Sequence, residues 1–157
     1  MVSSMLQISE SVFKKIPESM ILCIARFAIA AVFWKSGQTK IEGFSLDIIA
    51  MEAQLGWPHL KETTLFLFEH EYNLPLIPPM IAAIMATLAE HVLPILILMG
   101  FFTRFAAFGL ASMTLVIQLF VYPDAYPTHA TWLAIALLLM YRGAGVVSLD
   151  HVLSKTK

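Results

Sequence analysis

Glu90 and His91 stand side by side in the stretch TLAEHVLPILILMGFFTR, Thr87 to Arg104, which is otherwise almost wholly hydrocarbon. A carboxyl and an imidazole in adjacent positions can hold or pass a proton. Ionisable groups at membrane depth are costly, and they face a partner or a cavity. Pro94 adds to the polarity of this stretch, because proline has no N–H to donate to the carbonyl of Glu90. A kink and a polar pocket around Glu90, His91 and Pro94 are therefore expected. Arg26 is the charge within reach on the preceding apolar segment. At ~1.5 Å per residue it lies roughly 12 Å from one end of its helix, and Glu90 roughly 15–20 Å from the matching end of the next. An Arg26–Glu90 contact inside the helix assembly is the expectation. Thr114, Gln118 and Tyr122, spaced four apart, share one helix face. His129 and Trp132 share another, and with the first set they would line a cavity toward the outer half of the membrane.

Plainer readings of the same residues stand beside these. Arg26 and Glu90 can form a pair that only fixes helix register. His91 can bond a backbone carbonyl, and Thr114 and Gln118 can join helices. Trp132, Tyr122 and Tyr126 are also suited to anchoring at the interface, and Cys23 reads as a small buried hydrophobe.

The elements that position these residues follow from composition. Apolar residues make up 59% of the 157 and charged residues 13%, against roughly 45–50% and about 25% in soluble domains. This is the balance of a membrane protein with room for one domain. Four segments are predicted to span, at about 17–34, 76–102, 105–122 and 127–147, each near the length of about 20 residues that a bilayer needs. The fold class is all-α: a transmembrane four-helix bundle with an extracytoplasmic helical loop, 37–75, between the first and second spans. Within that loop, SLDIIAMEAQLGW with Ser45 as N-cap and PHLKETTLFLFEHEY opening on Pro58 predict two short interfacial helices. Lys14, Lys15, Arg104, Arg142, Lys155 and Lys157 fall on the side of the termini, and most acids on the other. The positive-inside rule then puts both termini in the cytoplasm. The first apolar run, interrupted by Arg26, is read as a retained span rather than a cleaved signal.

Several chemistries are excluded. The net charge of −1 and the lack of a basic cluster argue against a nucleic-acid partner. One cysteine, Cys23, allows no internal disulfide or dithiol pair. No Cys/His spacing suits zinc. No glycine-rich phosphate loop or hydrolase signature is present. A haem held by two histidines needs them at matched depth, and His91 and His129 are placed too differently.

In order along the chain stand Arg26 with Gly37 and Lys40, then EYNLPLIPP, Glu90, Gly100, and Thr103–Arg104. After these come FVYPDAYPTH up to His129, Trp132, and RGAGVVSLD with Gly143, Gly145 and Asp150. This ordered set resembles the DoxX family of small four-helix membrane proteins, over most of the chain. The resemblance departs at Ala144, where proline is expected between the glycines. It implies a quinone theme, since the family takes its name from a component linked to quinol oxidase and thiosulfate:quinone oxidoreductase activity. It makes Pro94, Gly100, Arg104, Gly143, Gly145 and Asp150 structural positions.

The reading that results is a quinone-linked redox or accessory subunit of the cytoplasmic (inner) membrane. Its candidate ligand residues are Arg26, Glu90, His91, Gln118, His129 and Trp132. Quinone is the cofactor considered, with neither haem nor metal expected. The bilayer, a redox partner protein and a second copy are the partners considered. Whether it catalyses anything stays open, since no redox centre is visible in the chain. A small proton-coupled solute transporter and a structural scaffold are the alternatives.

Overall fold

A computed structural model describes residues 10–47 and 50–155. Helix α1 spans Glu18–Lys40. It is followed by strands β1, Ile41–Asp47, and β2, Glu52–Leu60, paired as an antiparallel hairpin. Helix α2, Glu62–Leu67, runs on through a π-helical turn, Phe68–Tyr72. Three long helices come next: α3, Pro79–Met99; α4, Thr103–Val116, extended by a π-helical turn at Ile117–Val121; and α5, Tyr126–Arg142. Helix α6, Leu149–Lys155, closes the described chain. The protein is thus mostly helical with one small sheet. Three of its helical segments, 18–40, 79–99 and 103–121, are long and apolar enough to cross a membrane.

The long helices pack in a cycle, α1 on α3, α3 on α4, α4 on α5 and α5 on α1. Residues Leu22, Ala25, Arg26, Ile29, Ala30, Phe33, Gly37 and Lys40 of α1 are buried. Their three- and four-residue spacing is one face of a helix. That face meets Ile97 of α3, Ala106, Ala107 and Leu110 of α4, and Ala136 and Leu139 of α5 in the main core. The opposite faces carry exposed Ile24, Phe27, Met85, Leu88, Phe108 and Leu137, as hydrocarbon-facing surfaces do. Cys23 lies on such a face and is exposed, not buried as expected. A second, smaller core joins Phe68 to Ala82 and Ala83 of α3, with Leu65 and Tyr72 packed against it. It braces the N-terminal part of α3 beyond the end of α1.

Two expectations are corrected here. The connection after α1 holds a hairpin where the first of two short helices was predicted. Ser45, expected as an N-cap, pairs with Gln54 in the sheet. Ile49, expected on that helix's apolar face, lies outside the described residues. The competing interactions are local. Asp47 Oδ1 accepts the Ala50 N–H at 2.9 Å, an arrangement by which Asp favours turns over helix. Gly43, at φ +84, and Gly56 cross so closely that a Cβ on Gly56 would lie 2.4 Å from the Gly43 carbonyl oxygen. Trp34 Nε1 donates to Leu46 O at 3.2 Å and the Leu46 N–H to Gln38 Oε1 at 2.7 Å, tying β1 back to α1. The second short helix forms, but from Glu62 rather than Pro58, which belongs to β2. The all-α description therefore gives way to a helical protein with a two-stranded sheet.

Gly100 ends α3 at φ +66, a conformation few side chains accept. A Cβ there would sit 2.4 Å from Ser148 Cβ and 3.0 Å from Arg26 Cζ. Gly100→Ala is expected to destabilise by about 2–4 kcal/mol through strain and overlap. Gly109→Ala meets only a Leu93 methyl and should cost much less. Thermal unfolding of both variants in detergent checks the contrast.

Candidate functional site

Arg26 and Glu90 do not form the expected contact. Arg26 is buried, and its guanidinium is occupied by four backbone carbonyls. Nε donates to Ile97 O at 2.8 Å, Nη2 to Leu98 O, and Nη1 to Ala144 O at 3.1 Å and Val147 O at 2.6 Å. Ile97 and Leu98 belong to the last turn of α3, the negative end of the helix dipole, where the Gly100 N–H already caps Ile97 O at 3.0 Å. A planar cation with a fan of donors suits that position. The reason for the error is register. Ile97 lies seven residues beyond Glu90, or about 10 Å along the helix axis, and α1 continues past Trp34 to Lys40. Ala144, the departure from the family pattern, serves through its carbonyl, which any residue would supply.

Glu90 finds its charge at the other end of α1. Lys40 Nζ lies 2.6 Å from Glu90 Oε2, with both side chains buried. Ser36 Oγ donates to Glu90 Oε1 at 3.1 Å, and Lys40 Nζ donates to Ser36 Oγ at 3.1 Å. Gly37 allows the approach, since a Cβ there would lie 3.1 Å from Glu90 Cβ and 2.8 Å from the His91 ring. Lys40 and Ser36 were missed as site residues. The signal was the apolar stripe of α1: traced to its end, it puts Lys40 on the same face as Arg26.

The remaining candidates divide. His91 points away from the ion pair. Its Nδ1 donates to Thr87 O at 2.7 Å, so Nε2, 2.9 Å from Gln38 Nε2, is the acceptor. Trp34 meets the ring edge-on at 5.2 Å. His91 thus links α3 through Gln38 to the hairpin. His129 is buried, and its Nδ1 donates to Gln118 Oε1 at 2.7 Å, while Gln118 Nε2 donates to Pro123 O at 2.7 Å. These two hold the α4–α5 corner. Thr114 donates to its own helix at Leu110 O. Pro94 is buried inside α3, which runs through it unbroken.

Glu90 and Trp132 do come together, on the wall of a cavity of about 170 Å³. Lys40, Ser36 and Glu90 form its polar end. Phe33, Ala86, Met113, Ile117 and Trp132 are among its apolar walls, and Tyr72 and Tyr122 also line it. Trp132 is fixed by an edge contact with Phe33 at 5.4 Å and a tilted one with His129 at 5.1 Å. Tyr122 faces the cavity with Ile117 rather than Gln118, because the π-helical turn at Ile117–Val121 adds a residue to the turn and rotates the chain beyond it. Tyr122 Oη donates to Glu71 Oε1 at 2.5 Å, and its ring meets Tyr72 at 5.7 Å. Burial raises the Tyr72 phenol above its ordinary range, helped by the Glu90 and Glu71 carboxylates and opposed by the bond to Tyr122. Tyr72 therefore stays a neutral hydroxyl in the cavity wall. Among the described residues, no group of three His, Cys, Asp or Glu side chains could hold a metal ion.

Apolar helices long enough to cross a membrane, packed around a buried ion pair on a cavity wall, define a multi-pass helical membrane protein. The chain belongs to the DoxX family, whose model matches residues 21–123, well over half of its length. No curated protein and no solved structure matches it.

A buried ion pair that loses one partner leaves an uncompensated charge, whereas apolar replacement of both is tolerated. Lys40→Met should destabilise by about 3–5 kcal/mol, and Lys40→Met with Glu90→Leu should recover most of that loss. Equilibrium unfolding of the single and double variants in detergent tests this. A double-variant loss equal to the sum of the Lys40→Met and Glu90→Leu losses would show that the two side chains are not coupled.

Proposed function

We propose that this DoxX-family protein is a quinone-linked redox or accessory subunit of the cytoplasmic membrane, and that the Lys40–Glu90 cavity receives the quinone headgroup. The observation that carries this is a ring-sized apolar space closed at one end by a buried, paired lysine and glutamate. An engineered apolar cavity of about 150 Å³ accepts benzene, so about 170 Å³ has room for one substituted ring. A quinone supplies two-electron, two-proton redox chemistry. The chain's own residues supply the polar contacts. The Lys40 ammonium donates toward a carbonyl oxygen, and the Glu90 carboxylate, held by Ser36 and Lys40, can take up a proton. Trp132 and Phe33 border the ring, with Tyr72 beside them in the lining. Arg26, His91, Gln118 and His129 hold helices and loops in this reading and do not touch the ligand.

In the membrane frame of this proposal, α5 is a fourth span. Both termini and the Gly143–Ser148 loop are cytoplasmic, as the basic residues of that end favour. The hairpin and α2 lie outside. In the same reading a partner protein exchanges electrons with the bound quinone.

Isothermal titration of the purified protein with a short-chain quinone analogue tests the proposal. Saturable one-to-one binding is expected, weakened about tenfold by Lys40→Met through loss of a charged hydrogen bond. Ala86→Phe, which fills the cavity and leaves the ion pair in place, should abolish binding. Undiminished binding to Ala86→Phe, or none to the parent protein, would remove the cavity from consideration. A pH-gradient-driven solute uptake in proteoliposomes would favour a transporter instead.

A further inference from the structure

A second, larger cavity, of about 440 Å³, opens at the other end of the helices, between the α3–α4 turn and the segment from Gly143 to Ser154. We infer that it binds the phosphate of an anionic phospholipid headgroup. Its polar lining includes Arg104, Arg142, Thr103, Ser148, His151 and Ser154. Arg104 is held at one edge only. Nη1 donates to Met140 O at 3.0 Å, and the rest of the guanidinium lies along Gly143, with Nε and Nη2 3.5 Å from where a Cβ would stand. Arg142 is held through Nε by exposed Glu18 at 3.3 Å and lies 5.3 Å from the Tyr141 ring. Both arginines are therefore positioned, and each keeps Nη donors for a phosphate, which guanidinium groups bind in bidentate fashion.

The second observation is a buried hydroxyl. Thr103 is fully buried on the wall of this cavity, and its Oγ1 has no hydrogen-bond partner. An unpaired buried hydroxyl is costly, and turned toward the cavity about its Cα–Cβ bond it would donate to a phosphate oxygen. The backbone N–H groups that open α4 are not part of this site. Those of Phe102 and Thr103 donate to the two carboxylate oxygens of Asp150, at 2.8 and 3.0 Å. That pairing also commits the acid among the lining residues to the helix rather than to the cavity.

The rim points to lipid as the source of the phosphate. Phe102, Phe105 and Val146 border the cavity and are 55%, 75% and 57% exposed. The site lies at the boundary of two candidate spans, Pro79–Met99 and Thr103–Val121. A group that is anionic at one point and hydrocarbon immediately beside it matches both the lining and the rim. Basic pockets at the ends of membrane helices select anionic headgroups in this way.

The test is lipid retention by the purified full chain in detergent with added phosphatidylglycerol or phosphatidylcholine, read by native mass spectrometry. Retention of phosphatidylglycerol should exceed that of phosphatidylcholine at least tenfold. Arg142→Gln should reduce the preference roughly fivefold, and Arg104→Gln with Arg142→Gln should abolish it. Arg142 touches only exposed partners, so its single variant reads the site even if the double variant does not fold. Lys14→Gln with Lys15→Gln, basic residues outside the cavity lining, should leave the preference intact. Equal retention of the two lipids, or a preference unchanged by Arg142→Gln, overturns the inference. So does displacement of the lipid by millimolar inorganic phosphate, which would assign the site to a free anion.

Discussion

The four carbonyls around Arg26 set the geometry of this protein. One guanidinium joins the last turn of α3 to both ends of the Ala144–Val147 segment, from a position inside α1. Each contact adds a charged donor to a backbone acceptor at the end of the helices, and Ile97 O also takes the Gly100 N–H at 3.0 Å. The contacts also set the antiparallel register of α1 on α3. With Arg26 opposite Ile97, the next turns of α1 bring Gly37 to Glu90 and His91. The position of the Lys40–Glu90 pair is a consequence of a bond made three to four turns away.

The two buried cations of α1 therefore have different work. Arg26 meets only backbone and is closed on every side by the protein itself. Lys40 meets a titratable side chain at the edge of a cavity, with a tryptophan and two tyrosines around it. A functional assignment rests on the second arrangement, because only there does a charged pair border open space. The DoxX match over residues 21–123 covers α1 through the start of the α4–α5 corner, and so includes both cations and Glu90.

Much of this was legible in the residues. The long apolar helices and the need of Glu90 for a buried partner come from hydropathy and the cost of a carboxylate in oil, and the family from the ordered motifs along the chain. The partner was misidentified because segment ends were taken from hydropathy alone. Lys40 looked like a boundary residue, when it is the last position of the buried stripe. Tyr122 was grouped with Gln118 because an α-helical period was assumed across Ile117–Val121, and a π-helical turn leaves no mark in hydropathy. The hairpin was hidden for another reason. Its strands are largely exposed, so no inside–outside alternation marks them, and close backbone contact at Gly43 and Gly56 holds them together.

The smaller core under α2 has a mechanical meaning. Phe68, Ala82 and Ala83 form a unit separate from the main core, and α1 ends before it can reinforce the start of α3. The molecule is thus stiff where Arg26 sits and more lightly buttressed where Tyr72 and Tyr122 meet. What ties α2 to the rest is the end of α1, where the Thr64 hydroxyl and the Lys61 N–H both donate to Lys40 O, at 2.9 and 3.1 Å, so a load on α2 reaches the ion pair long before it reaches the guanidinium anchorage.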